Sequence, residues 1–149
     1  MIHSIIFDWK RTLYDPDDCS LIAGTKAVLQ LLRHYNIPIV LIGKGGDDMR
    51  VEVERLGVKA YFSKIIFCEG YKDINLFRSY ISTTNPKTTF FIGDRVRSEL
   101  EIGNTLHATT IWVRQGKFSN EEPESNIQKP TYTISSLGEL KMFLKEKLA

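Results

Sequence analysis

The sequence predicts an α/β protein: a three-layer α/β/α sandwich with helices on both faces of a parallel, five-stranded sheet. Three observations carry this. Apolar runs of strand length alternate with amphipathic stretches of helix length, the pattern of βαβ units feeding a parallel sheet. The apolar runs break at Gly or Asp, at Asp8, Gly43 and the pair Gly93 and Asp94, where a strand gives way to the turn before a helix. Finally, 149 residues with 42% hydrophobic and 26% charged side chains suit one globular domain over residues 1–149.

Taken in order, Ile2 to Phe7 forms the first strand. The polar segment Asp15 to Ser20 leads to a helix from about Ile22 to Tyr35, with Ala27, Leu31 and Leu32 on one face. Pro38 marks a new start, and Ile39 to Ile42 is the second strand, ended by Gly43, Gly45 and Gly46. Asp47 is a candidate cap for a helix through Leu56, which Gly57 stops. Tyr61 to Phe67 holds a weaker third strand, and Lys72 to Ile81 reads as a helix with Ile74, Phe77 and Ile81 turned inward. Thr89 to Ile92 is the fourth strand, Val96 to Leu106 the next helix, and Thr109 to Val113 the fifth strand. Gln115 to Pro130 is polar, with two prolines and no periodicity, so it reads as a long surface loop. Leu137 to Leu148 closes the fold as an amphipathic helix.

Composition excludes several classes. The net charge is +2 and the basic residues are scattered among acids, so nucleic acid is not the expected partner. The two cysteines, Cys19 and Cys68, lie far apart without metal spacing, which argues against a disulfide framework or a structural zinc. His3, His34 and His107 share no spacing and read as surface or packing residues. No apolar run approaches the roughly 20 residues of a membrane span, and Met1 to Phe7 reads as a buried strand, not a leader. The expected compartment is reducing and cytoplasmic.

In an open parallel sheet, ligands bind outside the carboxyl ends of the strands. The residues just after each apolar run are therefore the ones to compare: Asp8 after the first, Gly43 and Lys44 after the second, Lys72 after the third, Asp94 and Glu99 after the fourth. Two acids and a lysine at one rim suit a divalent cation and a phosphoryl group, since hard cations take carboxylate oxygens and an ammonium offsets phosphate charge. Taken singly, a strand-terminal Asp is as often a turn or cap residue, Lys44 and Lys72 as often solvated, and Glu99 as often an exposed helix residue. Trp9 and Trp112 read as packing beside the sheet.

The segment IIFDWKRTLYD resembles the first motif of the haloacid dehalogenase (HAD) superfamily, an apolar strand followed by DxDGTL, and FIGDRVRSELEIGN resembles the fourth. KDINLF is similar to the family's KPDPxxF segment. The resemblance implies a HAD-like Rossmannoid fold, a magnesium-dependent hydrolase acting on phosphate esters, and roles for particular residues. Asp8 would be the nucleophile that becomes phosphorylated, with Thr12 and Lys72 on the phosphoryl group. Asp8, Asp94, Glu99 and the Lys10 carbonyl would hold Mg2+. The departures are Lys10 in place of the family's acid/base Asp, Arg11 in place of its Gly, Gly43 in place of its Ser or Thr, and Arg97 in place of an acid. Lys10 is the serious change, because an ammonium with an unperturbed pKa of about 10.4 is a poor base at neutral pH. Lys10 would sit among the catalytic groups, with Arg11, Gly43 and Lys44 on the substrate.

The intervals from Asp8 to Gly43 and from Gly43 to Lys72 leave no room for an inserted cap domain. By analogy with the family, an open site suits a phosphorylated substrate that is large or protruding, and the sequence leaves a homo-oligomer open. The rival reading is a non-catalytic module that binds a phosphate ligand or a protein through Lys10, Arg11, Lys72 and Arg97. A receiver domain fits less well, because its acceptor Asp would end the third strand, where only Cys68 and Glu69 stand.

Overall fold

Alternation of side chains along each strand assigns the layers. A computed structural model describes all residues, 1–149. The strands are β1 (Ser4–Phe7), β4 (Ile39–Lys44), β5 (Lys64–Cys68), β6 (Thr89–Gly93), β7 (Thr109–Val113) and β8 (Tyr132–Ile134), with a small antiparallel hairpin of β2 (Tyr14–Asp15) and β3 (Ser20–Leu21) apart from them. Ile5 and Phe7, Ile39 and Leu41, Phe90 and Ile92, and Ile111 and Val113 enter one hydrophobic cluster. The intervening Ile6, Val40, Ile42, Phe91 and Trp112 enter another. Period two thus fills both faces, as buried parallel strands require.

The two faces are unequal. The first cluster holds 23 buried residues and takes α1 (Thr25–His34) and α5 (Leu137–Leu148), with the buried Met49 and Val53 of α2 (Asp47–Arg55). The second holds 9, under α3 (Asn75–Arg78) and α4 (Glu99–Thr105). On α1 the fully buried stripe is Val28, Leu29 and Leu32, while Ala27 and Leu31 stay half-buried. The start of α5 is fixed locally by Ser136, whose side chain accepts a hydrogen bond from the Glu139 N–H.

The sheet has six strands in the order β5-β4-β1-β6-β7-β8, all parallel, so the expected count of five is corrected. The extra strand, β8, is three residues long and pairs Ile111 with Tyr132 and Val113 with Ile134. A run that short shows no period of its own; pairing with β7 makes it a strand. The expected helix over Lys72 to Ile81 shrinks to the four residues of α3: at its start the Asp73 carboxylate accepts from the Asn75 N–H at 2.8 Å and keeps the preceding backbone in a turn, and at its end the Tyr80 and Ile81 N–H groups turn to the carbonyls of Phe77 and Arg78, three residues back. Asp47 is the first residue of α2 and not its cap, a position held by Gly46 without a side-chain bond. The segment Gln115 to Pro130 carries two short 3-10 turns and is tied to α4 by Asn104, whose amide donates to the carbonyls of Ile127 and Lys129 at 2.7 and 2.8 Å.

The chain runs from β1 to β4 and β5 on one side, then returns to β6 on the other side of β1. Such a reversal opens a crevice at the carboxyl ends of the two central strands. Phe7 pairs with Ile92 there, and the Asp8 N–H donates to the Ile92 carbonyl at 3.1 Å.

Candidate functional site

Directly after β1 the backbone closes into a tight turn that aims Asp8 and Thr12 at the crevice. The N–H groups of Thr12, Leu13 and Tyr14 all point to the Trp9 carbonyl, at 3.2, 2.9 and 3.0 Å. Trp9 is fully buried and stacks on Tyr14 with ring centroids 5.1 Å apart, which anchors the turn in the core. Arg11 takes a left-handed backbone, φ 65. That conformation explains the glycine of the related motif at this position, since a side chain there is strained. The Thr12 hydroxyl lies 3.2 Å from Asp8 Oδ2 and 3.3 Å from Asp94 Oδ1, between two carboxylates.

Asp94 and Glu99 arrive from β6 and the first turn of α4. Gly93 makes room for the second of them: a Cβ on Gly93 would come within 2.6 Å of the Glu99 carboxylate, so the missing side chain lets Glu99 fold back over the strand end. The Trp112 indole N–H donates to the Asp94 carbonyl at 2.9 Å and pins the loop from the neighbouring strand. From the other side comes Lys72, its side chain 2% exposed, with Nζ 2.7 Å from Asp8 Oδ1 and 3.6 Å from Glu99 Oε2. All four are buried residues.

The charges do not balance. Three carboxylates offer oxygens within 4.8 Å of one another and meet one ammonium. Burial first, then the neighbouring charges of Asp8 and Glu99, push the Asp94 carboxyl up to about 9. Burial, followed by the Asp8 charge, raises Glu99 too. For Lys72, burial alone would lower the pKa, but the Asp8 and Glu99 carboxylates outweigh it and hold the ammonium above its usual range. Asp94 Oδ2 and Glu99 Oε1 are buried without any hydrogen-bond partner. Orphaned buried carboxylate oxygens are costly, and two of them beside a third carboxylate fit the donor set of a hard divalent cation such as Mg2+.

Above these groups lies a cavity of about 200 Å³, lined by Asp8, Lys10, Arg11, Lys44, Lys72, Asp94, Arg95, Ser98, Glu99 and Phe118. A larger cleft of about 590 Å³ opens beside it and shares Arg11, but it lacks the convergence of carboxylates and lysine, so the smaller one is the candidate site. Of the residues singled out from sequence, Asp8, Lys10, Arg11, Lys44, Lys72, Asp94 and Glu99 come together here. Thr12 reaches the carboxylates from the fully buried side. Gly43 does not line the cavity. It is buried at the end of β4, where a Cβ would meet Trp9 Cβ at 2.8 Å and the Phe67 ring at 2.9 Å, so the bulk of those rings keeps the position bare.

Arg97 lies off the rim, its guanidinium bound to Glu124 at 3.1 Å and to the Glu122 carbonyl. Its place is taken by Arg95, which sequence reading missed. Arg95 pairs with Glu121 at 3.0 Å and lies 4.1 Å from the centroid of the Phe118 ring. Phe118 and Glu121 come from the long polar loop after β7, and nothing in its pattern marks them. The only signal in the sequence is the position of Arg95 directly after the strand-terminal Asp94. None of His3, His34 and His107 lines the cavity, and Trp9 and Trp112 are buried packing residues.

Residues 70–140 match the model of the HAD-hydrolase-like family, a stretch that contains Lys72, Asp94 and Glu99 but not Asp8. No curated protein matches the sequence. Solved structures with the same fold include a dehalogenase with an intermediate complex, at TM-score 0.78 and 11% identity over 95% of this chain and 96% of that one. A HAD-superfamily hydrolase from Ehrlichia chaffeensis aligns over 100% of both chains, with TM-score 0.74 and 15% identity. The HAD-hydrolase YfnB from Bacillus subtilis, bound to magnesium, aligns at TM-score 0.66 and 18% identity over 85% of this chain and 57% of that one.

Proposed function

We propose, for a chain that fits the HAD superfamily in its fold and in the sequence of its second half, that the site hydrolyses a phosphate monoester with magnesium, through a phosphorylated Asp8. The observation that carries this is the buried Lys72–Asp8 pair at 2.7 Å beside the orphaned oxygens of Asp94 and Glu99. Magnesium bound by Asp8, Asp94, Glu99 and the Lys10 carbonyl would supply positive charge at the phosphoryl oxygens. Asp8 attacks phosphorus, the Asp8 O–P bond forms, and the ester P–O bond breaks with its electron pair leaving on the alkoxide. Lys72 and Thr12 hold Asp8 and offset charge on the phosphoryl group. Lys10, an ammonium at the cavity wall, steadies the departing oxygen. In the second step water attacks phosphorus and the Asp8 O–P bond breaks. A base must take the proton of that water, and Lys10 is poorly suited to do so.

The lining also favours phosphoryl transfer over halide displacement, the activity for which a structural relative is named. Halide displacement needs a dry apolar pocket, whereas only Phe118 among the lining residues is apolar. A phosphorylated substrate that protrudes from the rim is the partner class this supports. The second reading, a binding module that has lost turnover, is favoured by the same Lys10.

Rapid-quench kinetics with p-nitrophenyl phosphate and magnesium test both. The native protein is expected to give a stoichiometric burst followed by slow turnover, and Lys10→Asp to raise steady-state turnover by roughly 10²–10⁴. Fast native turnover would show that another group serves as base. No burst in either protein would favour the binding module.

A further inference from the structure

We infer that the ligand of this site carries a second anionic group beside its phosphoryl group, bound by Lys10 and Lys44. The inference rests on the phosphoryl reading above and names the substrate class: a phosphorylated carboxylic acid or a diphosphate. It starts from the rim, where four cations, Lys10, Arg11, Lys44 and Arg95, surround one cavity of about 200 Å³.

Two of the four are already answered by the protein itself, since Arg11 pairs with Asp17 at 3.3 Å and Arg95 with Glu121 at 3.0 Å. The other two are not. No ion pair of the chain involves Lys10 or Lys44. A single surface lysine without a partner is ordinary, but these two enter from separate elements, the turn after β1 and the end of β4, and line the same small space.

Their charge is not needed for the acids below. Asp8, Asp94 and Glu99 against Lys72 leave an excess that one divalent cation cancels, and Lys72 is committed to Asp8 and Glu99 by distance. A phosphoryl group seated on Asp8 would meet that cation and Lys72. Lys10 and Lys44 then form an electropositive wall beyond it, in a cavity whose one apolar residue, Phe118, leaves little surface for a greasy leaving group. Like charges lining one cavity repel each other and raise the positive potential within it, which favours a ligand with negative charge at that end.

Calorimetric titration at fixed magnesium concentration tests this with three probes that no hydrolase step consumes: ethylphosphonate, phosphonoacetate and methylenediphosphonate. Native protein is expected to bind at least one of the two doubly anionic probes about tenfold or more tighter than ethylphosphonate, the worth of one charge-assisted hydrogen bond. Whichever binds tighter identifies the second group as carboxylate or phosphate. Lys44→Ala and Lys10→Ala should each shrink the ratio of doubly anionic to ethylphosphonate affinity by about threefold or more, whatever either does to ethylphosphonate binding itself. Equal affinity for all three probes would overturn the inference and leave the phosphoryl site standing. A preference that survives both substitutions would overturn the assignment to these lysines. Failure of every probe to bind would remove the phosphoryl reading and the inference together.

Discussion

Replacing Lys72 with Met is the sharpest probe of how the site is held together. The change keeps an unbranched side chain of similar length and removes the ammonium that sits 2.7 Å from Asp8 and 3.6 Å from Glu99. Breaking a buried ion pair by deleting one partner costs about 3–5 kcal/mol. Part of that is recovered here, because Asp94 and Glu99 already hold their protons more tightly than usual and can neutralise themselves, each tenfold gain in proton affinity being worth about 1.4 kcal/mol. The expected net loss at pH 8 without metal is therefore about 2–3 kcal/mol, or roughly 4–12 °C in Tm for a chain of this size. Lowering the pH favours the protonated forms of Asp94 and Glu99, so the loss should shrink toward pH 5, and magnesium should restore stability as RT ln(1 + [Mg2+]/Kd). Urea unfolding followed by far-UV circular dichroism, at both pH values and with and without magnesium, measures it. A loss below about 0.5 kcal/mol at pH 8, the size of an ordinary surface substitution, would refute the picture of Lys72 as the counter-charge of three buried acids.

Two further predictions concern single residues. The folded-state pKa of Asp94 is raised from 3.8 to about 9, so the protonated carboxyl favours the folded state. Its stabilisation is complete below about pH 4 and is lost as pH rises through about 9, so the metal-free protein should lose stability across that window and Asp94→Asn should flatten the slope; identical pH profiles would contradict the raised pKa. At Arg11, φ 65 strains any side chain, and Arg11→Ala keeps that strain while losing the half-exposed Asp17 pair. Arg11→Gly should therefore be more stable than Arg11→Ala by about 1 kcal/mol. Thermal melts that rank alanine above glycine would overturn the backbone argument.

How much of this was legible depended on whether a feature is local. The ends of α5 and of β7 coincide with the sequence reading because pattern and boundary signals sit in one segment: an apolar run buried at every position through Thr109–Val113, and Ser136 capping Leu137–Leu148. β8 escaped because three residues acquire strand character only by pairing with β7. Helix α3 is shorter than its periodicity suggests because Asp73 competes for the backbone at its start and three-residue turns replace its last turn. The site follows the same rule. Asp8 and Asp94 stand at strand ends, with Lys72 and Glu99 a few residues beyond such ends, so all four could be found by position, whereas Phe118 at the rim and Glu121, which pairs with Arg95, come from a loop without pattern. Arg97 and Arg95 are two residues apart, and only the partners Glu121, Glu122 and Glu124 decide which of them faces the cavity. Gly43 resembled a lost hydroxyl in the sequence, and the structure ties the loss to packing, because Trp9 and Phe67 fill the space that a side chain would need.

The unequal faces of the sheet bear on how the molecule breathes. Cooperative openings of a native protein begin where the fewest apolar contacts must be broken, and here that is the side with 9 buried residues and not the side with 23. That thinner side includes α3, which begins three residues after Lys72, and α4, whose first residue is Glu99. Partial unfolding there would take Lys72 and Glu99 away from Asp8 while β1, β4 and α1 stayed intact. Amide protons on α3 and α4 would then exchange with solvent ahead of those on α1 and α5, and a bound cation, by tying Glu99 to Asp8 and Asp94, would slow their exchange most.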